Sequence, residues 1–114
     1  MATTVQQAPG LFRTDLQHYD LSVPGREMIQ NRVELDPEAP AIRHWHPGEE
    51  IIYVIEGSLE YTLDGQEPRV VKGGEALTVP ARVIHSVRNV GTGPAFELAT
   101  FIVEKGKPFI VLAE

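Results

Sequence analysis

The sequence predicts an all-β domain, folded as an antiparallel sandwich or barrel. Apolar and polar residues alternate along short segments, most clearly from Ser58 to Leu63, which is the pattern of a strand with one buried face. Turns that contain glycine or proline recur every 8–12 residues or so, as in sandwiches and barrels. No stretch of a dozen residues repeats apolar positions with the period of an amphipathic helix, so we expect no helix.

Nine or ten short strands follow from these patterns. Pro37 and Pro40 mark a turn, because proline disfavours helix and cannot donate to a strand ladder. Asp64-Gly65 is the strongest hairpin signal in the chain. Strands are predicted at 27–35, 41–46, 51–55, 58–63, 70–71, 76–79, 83–90, 96–104 and 109–112.

The length and composition indicate one folded domain. A chain of 114 residues is the usual size of a single domain and buries roughly two-thirds of its unfolded surface. Its hydrophobic content of 42% excludes a disordered composition. We expect residues 1–10 to form a flexible N-terminal tail and residues 11–114 to form one barrel domain, which begins with a short strand and a turn over 11–25.

Charge and cysteine content exclude several functions. The net charge of −6 without a basic cluster argues against a nucleic-acid partner, because phosphate contacts need grouped Lys and Arg. The absence of cysteine excludes disulfides, thiolate metal sites and cysteine nucleophiles. We see neither a signal-peptide pattern nor an apolar run of about 20 residues. We therefore expect no membrane contact and a cytoplasmic protein.

The densest group of metal-type ligands lies at 43–50. His44 and His46 are two residues apart, so in a strand both imidazoles point to the same face. A Pro-Gly turn follows and allows Glu50 to return beside them. Two imidazoles and a carboxylate at one point suit a first-row metal ion; the alternative for the pair alone is surface or hydrogen-bonded histidines.

His85 is the natural fourth ligand, although alone it would more often be structural. His18 has no ligand-type neighbour at useful spacing, and we interpret it as a surface residue.

Two segments resemble the sequence motifs of the cupins. Residues 43–57 contain His44-x-His46, Glu50 and Gly57 at the spacing of the first motif, and residues 74–89 contain Gly74, Pro80, His85 and Asn89 at the spacing of the second. The resemblance implies an antiparallel double-stranded β-helix, or jelly-roll barrel, of the RmlC-like type. It also implies that His44, His46, Glu50 and His85 bind a metal ion. Arg82 departs from the motif, which usually has glycine there; it is either a cation near the barrel mouth or a solvated turn residue.

This ligand set suits one divalent first-row transition metal ion, namely Fe, Mn, Ni, Zn or Cu, with coordination positions left open for chemistry. By resemblance we expect a metal-dependent enzyme that acts on a small organic molecule with quercetinase-like dioxygenase chemistry. The alternatives are isomerase, lyase or decarboxylase chemistry with the metal as Lewis acid, and a non-catalytic binding or sensor protein.

Four further residues are candidate general bases or polar anchors near such a site: Glu49, Tyr53, Glu60 and Arg88. We expect a small-molecule ligand in an apolar barrel. Cupins commonly pair through sheet faces or exchanged N-terminal strands, so a homodimer is expected too.

Overall fold

The predicted all-β class is confirmed by a computed structural model, which describes residues 4–113. None of these residues forms a helix, so this range has no helix that is long and apolar enough to cross a membrane. The strands are β1 Thr4–Ala8, β2 Leu11–Asp20, β3 Arg26–Leu35, β4 His44–Trp45, β5 Gly48–Glu56, β6 Ser58–Leu63, β7 Arg69–Lys72, β8 Ala76–Val79, β9 His85–Asn89, β10 Ala95–Glu104 and β11 Val111–Leu112.

The strands form two antiparallel sheets that face each other as a jelly-roll barrel. One sheet has the order β1-β2-β3-β10-β5-β8 and the other has the order β11-β4-β9-β6-β7. β10 lies inside the larger sheet and pairs with β3 from Ala95↔Leu35 to Glu104↔Arg26. Its other edge pairs with β5, where Phe101 lies opposite Glu50. These two pairings align the inward-facing residues of three neighbouring strands.

Strict alternation of side chains produces the core. Along β5 the buried positions are Gly48, Glu50, Ile52 and Val54, whereas the residues between them are exposed. Because the side-chain period of a strand is two, a one-residue slip would turn every one of these groups to the solvent. Each fully buried Ile or Val stabilises the fold by about 1.5–3 kcal/mol. This apolar core therefore holds the register that turns Glu50 inward.

The N-terminal region differs from the expected flexible tail. Residues 1–3 lie outside the described range, but Thr4–Ala8 form β1, which pairs with β2. β2 itself runs from Leu11 to Asp20 and pairs with β3 along its length. The sequence does not reveal β1, because three of its five residues are polar and four are exposed, and its pairing uses backbone hydrogen bonds rather than a buried face.

The conformation of the turn before β9 explains why the motif usually has glycine at position 82. Among residues 4–113, Arg82 is the one non-glycine residue with a positive φ, at 62°. This left-handed conformation costs a residue with a Cβ about 1–2 kcal/mol, which accounts for the glycine usual in the motif. The Arg82 backbone N–H donates to the His46 carbonyl at 3.0 Å, and its guanidinium pairs with Glu104 at 3.0 Å. The backbone hydrogen bond from this turn therefore holds the segment that carries His46 in place.

Gly48 is required by a close approach of two strands. A Cβ at this position would lie 1.9 Å from the Ile102 carbonyl oxygen and 2.6 Å from the Val103 Cα. Both are backbone atoms of β10, which cannot move without breaking the sheet. Gly48 therefore allows β5 to begin directly after Pro47 and to present Glu50 two residues later.

We expect Gly48→Ala to lower the free energy of unfolding by about 3 kcal/mol, because the added methyl collides with backbone. Gly65→Ala is the control: its φ is +84° but its Cβ would meet nothing within 4 Å, so the cost should be about 1 kcal/mol from the backbone alone. Urea unfolding measures both values. Equal losses in the two variants would contradict the packing argument.

Candidate metal centre

Three histidines and one glutamate converge inside the barrel. His44 lies on β4 and pairs across the smaller sheet with His85 on β9, whereas His46 follows β4 and Glu50 lies on β5. One ligand atom from each of the four residues lies within 4.8 Å of the others. His46, Glu50 and His85 are buried, and His44 is partly buried. The structure therefore brings together the four residues that the sequence predicts as ligands.

Backbone carbonyls orient all three imidazoles. Each Nδ1 faces a carbonyl oxygen, which can only accept a hydrogen bond, so each Nδ1 carries the proton and each Nε2 presents a lone pair. A hydrogen bond from the non-ligating nitrogen is the usual arrangement around a metal-binding histidine. The acceptors for His44, His46 and His85 are the carbonyls of Ile42 at 2.7 Å, Phe109 at 3.0 Å and Val83 at 2.9 Å, respectively.

The Glu50 carboxylate lies among the free Nε2 atoms. Its Oε1 is 3.1 Å from His85 Nε2 and 3.3 Å from His46 Nε2, and the His46 contact lacks hydrogen-bond geometry. Burial alone would raise the pKa of the Glu50 carboxyl, but hydrogen bonds and charge from His46 and His85, with a proton on the facing Nε2, lower it to about 2. A carboxylate that faces nitrogen lone pairs needs a cation or a proton between them. This donor set therefore fits a divalent metal ion.

Burial keeps His44 in the form that binds metals. Removal from water lowers the pKa of its imidazole to about 4, against the opposing effect of its hydrogen bond to the Ile42 carbonyl. His44 is thus neutral at pH 7, and its Nε2 lone pair is available without displacement of a proton.

The four residues line one cavity of about 320 Å³ between the sheets. Its apolar walls come from both sheets and from the C-terminal segment: Leu11, Val33, Leu35, Ile42, Val87, Phe101, Phe109, Ile110 and Leu112. The His46 ring packs against Phe101 and Phe109, with ring centroids 4.7 and 5.5 Å away. An apolar enclosure of this size suits a small organic ligand.

The sequence interpretation missed the polar lining residues Gln7 and Arg13 and three others deeper in the protein, namely Asn31, Tyr61 and Glu97. These last three are all buried. Burial, together with the charge of Glu50, raises the pKa of the Glu97 carboxyl well above its ordinary value, which favours the uncharged form. Strand parity was the available signal, because Glu97 shares the inward register of Ala99, Phe101 and Val103 on β10.

The other candidates from the sequence lie outside the cavity. Glu49 and Tyr53 alternate with the inward residues of β5 and face the solvent. Glu60 and Arg88 occupy the outward positions of β6 and β9 and form an exposed ion pair at 2.8 Å. Arg82, on an exposed turn, pairs with Glu104 and does not line the cavity. The sequence did not separate these residues from Glu50, because neighbouring carboxylates differ only in which face they occupy.

A second group of ligand-type residues lies at the surface. His18, Asp20 and Glu27 lie close together on β2 and β3, but His18 and Asp20 are exposed. Asp20 already pairs with Lys105 at 2.7 Å. His18 is exposed, as the sequence predicts, but the expectation that it has no ligand-type neighbour is wrong, because Asp20 and Glu27 lie beside it.

The family follows from a comparison with known proteins. Residues 31–103 match the family model described as the Cupin domain, a range that includes all four converging residues. This chain is a cupin.

Two curated relatives of this cupin are polyketide synthase proteins. Polyketide synthase CurC from Streptomyces cyaneus is 45% identical over 49 residues, which are 42% of this chain and 31% of CurC. Tetracenomycin polyketide synthase protein TcmJ from Streptomyces glaucescens is 38% identical over 75 residues, which are 65% of this chain and 50% of TcmJ. The chain therefore aligns with half or less of the length of either relative.

Solved structures share the fold at low sequence identity. Polyketide cyclase RemF from Streptomyces resistomycificus has a TM-score of 0.74 and 22% identity, over 99% of this cupin and 80% of RemF. KdgF from Halomonas sp. has a TM-score of 0.73 and 23% identity, over 91% and 88%. Such similarity establishes the RmlC-like cupin fold.

We expect His85→Ala to lower the affinity for a divalent first-row metal ion at least about 100-fold, because it removes one of four donors and leaves Glu50 without its closest partner. Metal analysis after gel filtration should find about one ion per chain in the wild type and almost none in the variant. His18→Ala is the matched control and should retain the ion. Full occupancy in folded His85→Ala would contradict the assignment.

The pKa of Glu97 also predicts the pH dependence of stability. In the unfolded chain this group ionises near pH 4.5, but the fold raises its pKa, so the folded state keeps a proton that the unfolded state loses. Its contribution to stability therefore declines as the pH rises above about 4.5. We expect metal-free Glu97→Gln to melt at a higher temperature than wild type at pH 8, with a smaller difference at pH 5. Circular dichroism follows the melting.

The control for this measurement is Glu56→Gln, which changes an exposed carboxylate on β5 and should show no such pH trend. A Glu97→Gln variant that is less stable than wild type at pH 8 would show that the buried carboxylate stabilises the fold.

Proposed function

We propose that this cupin is a metal-dependent enzyme that acts on a small, oxygen-rich organic molecule of the polyketide type. The observation that carries the proposal is the arrangement of His44, His46 and His85, whose Nδ1 atoms are held by backbone carbonyls while their free Nε2 atoms meet Glu50 in an apolar cavity. His44, His46, Glu50 and His85 would hold one divalent first-row ion.

The substrate class is supported by the curated relatives and by the cavity. CurC and TcmJ are named as polyketide synthase proteins, and a polyketide carries regularly spaced carbonyl and enol oxygens. Such a molecule offers chelating oxygens to the metal centre and apolar surface to the walls formed by Val33, Val87 and Phe101. A bound ion would supply Lewis-acid polarisation of these oxygens or, if redox-active, electron transfer to oxygen.

The protein's own part in the reaction is positioning and exclusion of water. The walls displace solvent from the reacting carbons, which strengthens each electrostatic contact inside. Glu50 and the three imidazoles keep their geometry because backbone hydrogen bonds and packing on Phe101 and Phe109 hold the rings. A flexible poly-carbonyl chain would be folded within this cavity, and this favours ring closure over reaction with water.

We favour carbon–carbon bond formation or elimination through an enolate over the dioxygenase chemistry expected from the sequence, since the sequence relatives are polyketide synthase proteins. Dioxygenase chemistry is the second candidate, because a site of three imidazoles and one carboxylate also suits Fe, Mn or Cu. A homodimer in the cytoplasm, as expected from the sequence, completes the proposal.

The test uses protein loaded separately with Zn²⁺, Mn²⁺ or Fe²⁺. Heptane-2,4,6-trione, a short poly-β-ketone, loses one water for each ring that it closes. This reaction needs no oxygen, so it is run anaerobically, and mass spectrometry detects the loss of water. We expect anaerobic conversion with Zn²⁺, a decrease of at least about 100-fold in His85→Ala, and no change in His18→Ala.

The other outcomes discriminate between the candidates. Oxygen uptake with flavonols by the Fe²⁺ or Mn²⁺ protein, without anaerobic conversion, would establish the dioxygenase. Tight binding of metal and ligand with neither reaction would establish a binding protein. A protein that takes up no first-row metal would refute the metal-dependent function.

A further inference from the structure

We propose that the cavity contains a second, uncharged subsite, formed by Asn31, Tyr61 and Glu97, which binds a hydroxyl or carbonyl oxygen at the far end of an elongated aromatic ligand. The near end of that ligand would reach the metal centre, so this inference rests on the proposed function and deepens it. The three residues are called the distal triad below.

Each member of the distal triad has a buried polar atom without a partner. Asn31 Oδ1, Tyr61 Oη and Glu97 Oε2 find no hydrogen bond within residues 4–113, and the three residues are 2%, 1% and 4% exposed. An unsatisfied buried polar group costs about 1–3 kcal/mol. Three such groups on the wall of one cavity therefore indicate a missing partner, because an apolar residue at each position would fold at lower cost.

The register of the strands places the triad away from the metal centre. Phe101, opposite Glu50, marks the level of the metal centre on β10, and Glu97 lies four residues further along the same strand, or about 13 Å. Asn31 pairs with Ala99, between these two levels. Tyr61 lies on β6 in the other sheet. It is two residues before Leu63, which pairs with His85. An elongated ligand would span these two levels of the cavity.

The chemistry of the triad selects a neutral polar group. The Tyr61 hydroxyl can donate or accept, Asn31 Oδ1 accepts, and the protonated Glu97 carboxyl offers both functions. Burial and the charge of Glu50 favour the uncharged form of the Glu97 carboxyl, so within the triad a carboxylate, phosphate or ammonium group would lose its hydration without gaining an opposing charge. Arg13 also lines the cavity, and its Nε has no hydrogen-bond partner within residues 4–113, but its guanidinium lies over the ring of Phe109, which packs on His46. A phenol, enol or ketone oxygen is the group that fits.

The experiment compares two flavonols that differ only at the end remote from their chelating oxygens. Zn²⁺-loaded protein is titrated with 3,4′-dihydroxyflavone and with 3-hydroxyflavone, and fluorescence reports binding. We expect wild type to bind the dihydroxy compound about tenfold more tightly, which is the effect of one or two buried hydrogen bonds. Tyr61→Phe and Glu97→Gln should each reduce this ratio by about threefold or more and leave the affinity for 3-hydroxyflavone unchanged.

Tyr19→Phe is the matched control, because this tyrosine is 67% exposed, and its ratio should equal that of wild type. A second readout separates ligand binding from a structural role. Since the Tyr61 hydroxyl has no partner, ligand-free Tyr61→Phe should melt at the wild-type temperature or above. A lower melting temperature would overturn the proposal, because it would show that the hydroxyl stabilises the fold.

The remaining outcomes are equally decisive. Equal affinity of wild type for both flavonols, or no binding of either by metal-loaded protein, would overturn the subsite and leave the metal centre intact. If the protein binds no metal, the proposed function fails, and the subsite is tested with 4-hydroxybiphenyl against 4-methylbiphenyl, which have no chelating oxygen pair. If the protein binds 4-hydroxybiphenyl more tightly than 4-methylbiphenyl and Tyr61→Phe weakens this preference, the subsite is supported. Equal affinity for the two biphenyls overturns it.

Discussion

The structure is organised around the burial of three imidazoles and one carboxylate inside an apolar barrel. Each imidazole is held by a backbone carbonyl at Nδ1, which leaves three Nε2 lone pairs and a carboxylate directed at one point. Such a cluster is costly to bury and stable only when a cation or a proton lies within it. The surrounding sheets must therefore supply enough apolar burial to hold it, and the two-sheet core does so through strict alternation along β5 and β10.

Two backbone features near the cluster help to hold its four residues in position. Gly48 lets β5 approach β10 so closely that even a methyl group would collide with the Ile102 carbonyl, and Glu50 follows at once on the inward face. Arg82 adopts the left-handed conformation and binds the carbonyl of His46 through its N–H. Local strain at this turn is offset by the global packing that it permits. Chemistry at the cluster thus depends on residues that never touch a ligand.

The cavity has two ends of different character. At the cluster of three histidines and Glu50, the pKa of Glu50 is lowered to about 2, which favours the anion. At the distal triad, burial and the charge of Glu50 raise the pKa of Glu97, which favours its uncharged form. The pKa values of two carboxyls in one cavity are therefore shifted in opposite directions, because one has imidazole partners and the other has none. This asymmetry would orient a ligand that has chelating oxygens at one end and a single neutral oxygen at the other.

The sequence by itself determined the fold class and the four converging residues. Alternation of apolar residues is a local property, and the spacing of His44, His46, Glu50 and His85 belongs to two compact motifs. Only the tertiary structure decided that β1 joins the sheet, since its pairing is made by backbone groups that no residue pattern records. It also decided that Glu97 faces the cavity while Glu49 and Tyr53 face the solvent. The reason is that the face of the sheet to which a side chain points depends on strand register. Register is set by the pairing of strands that are distant in the chain.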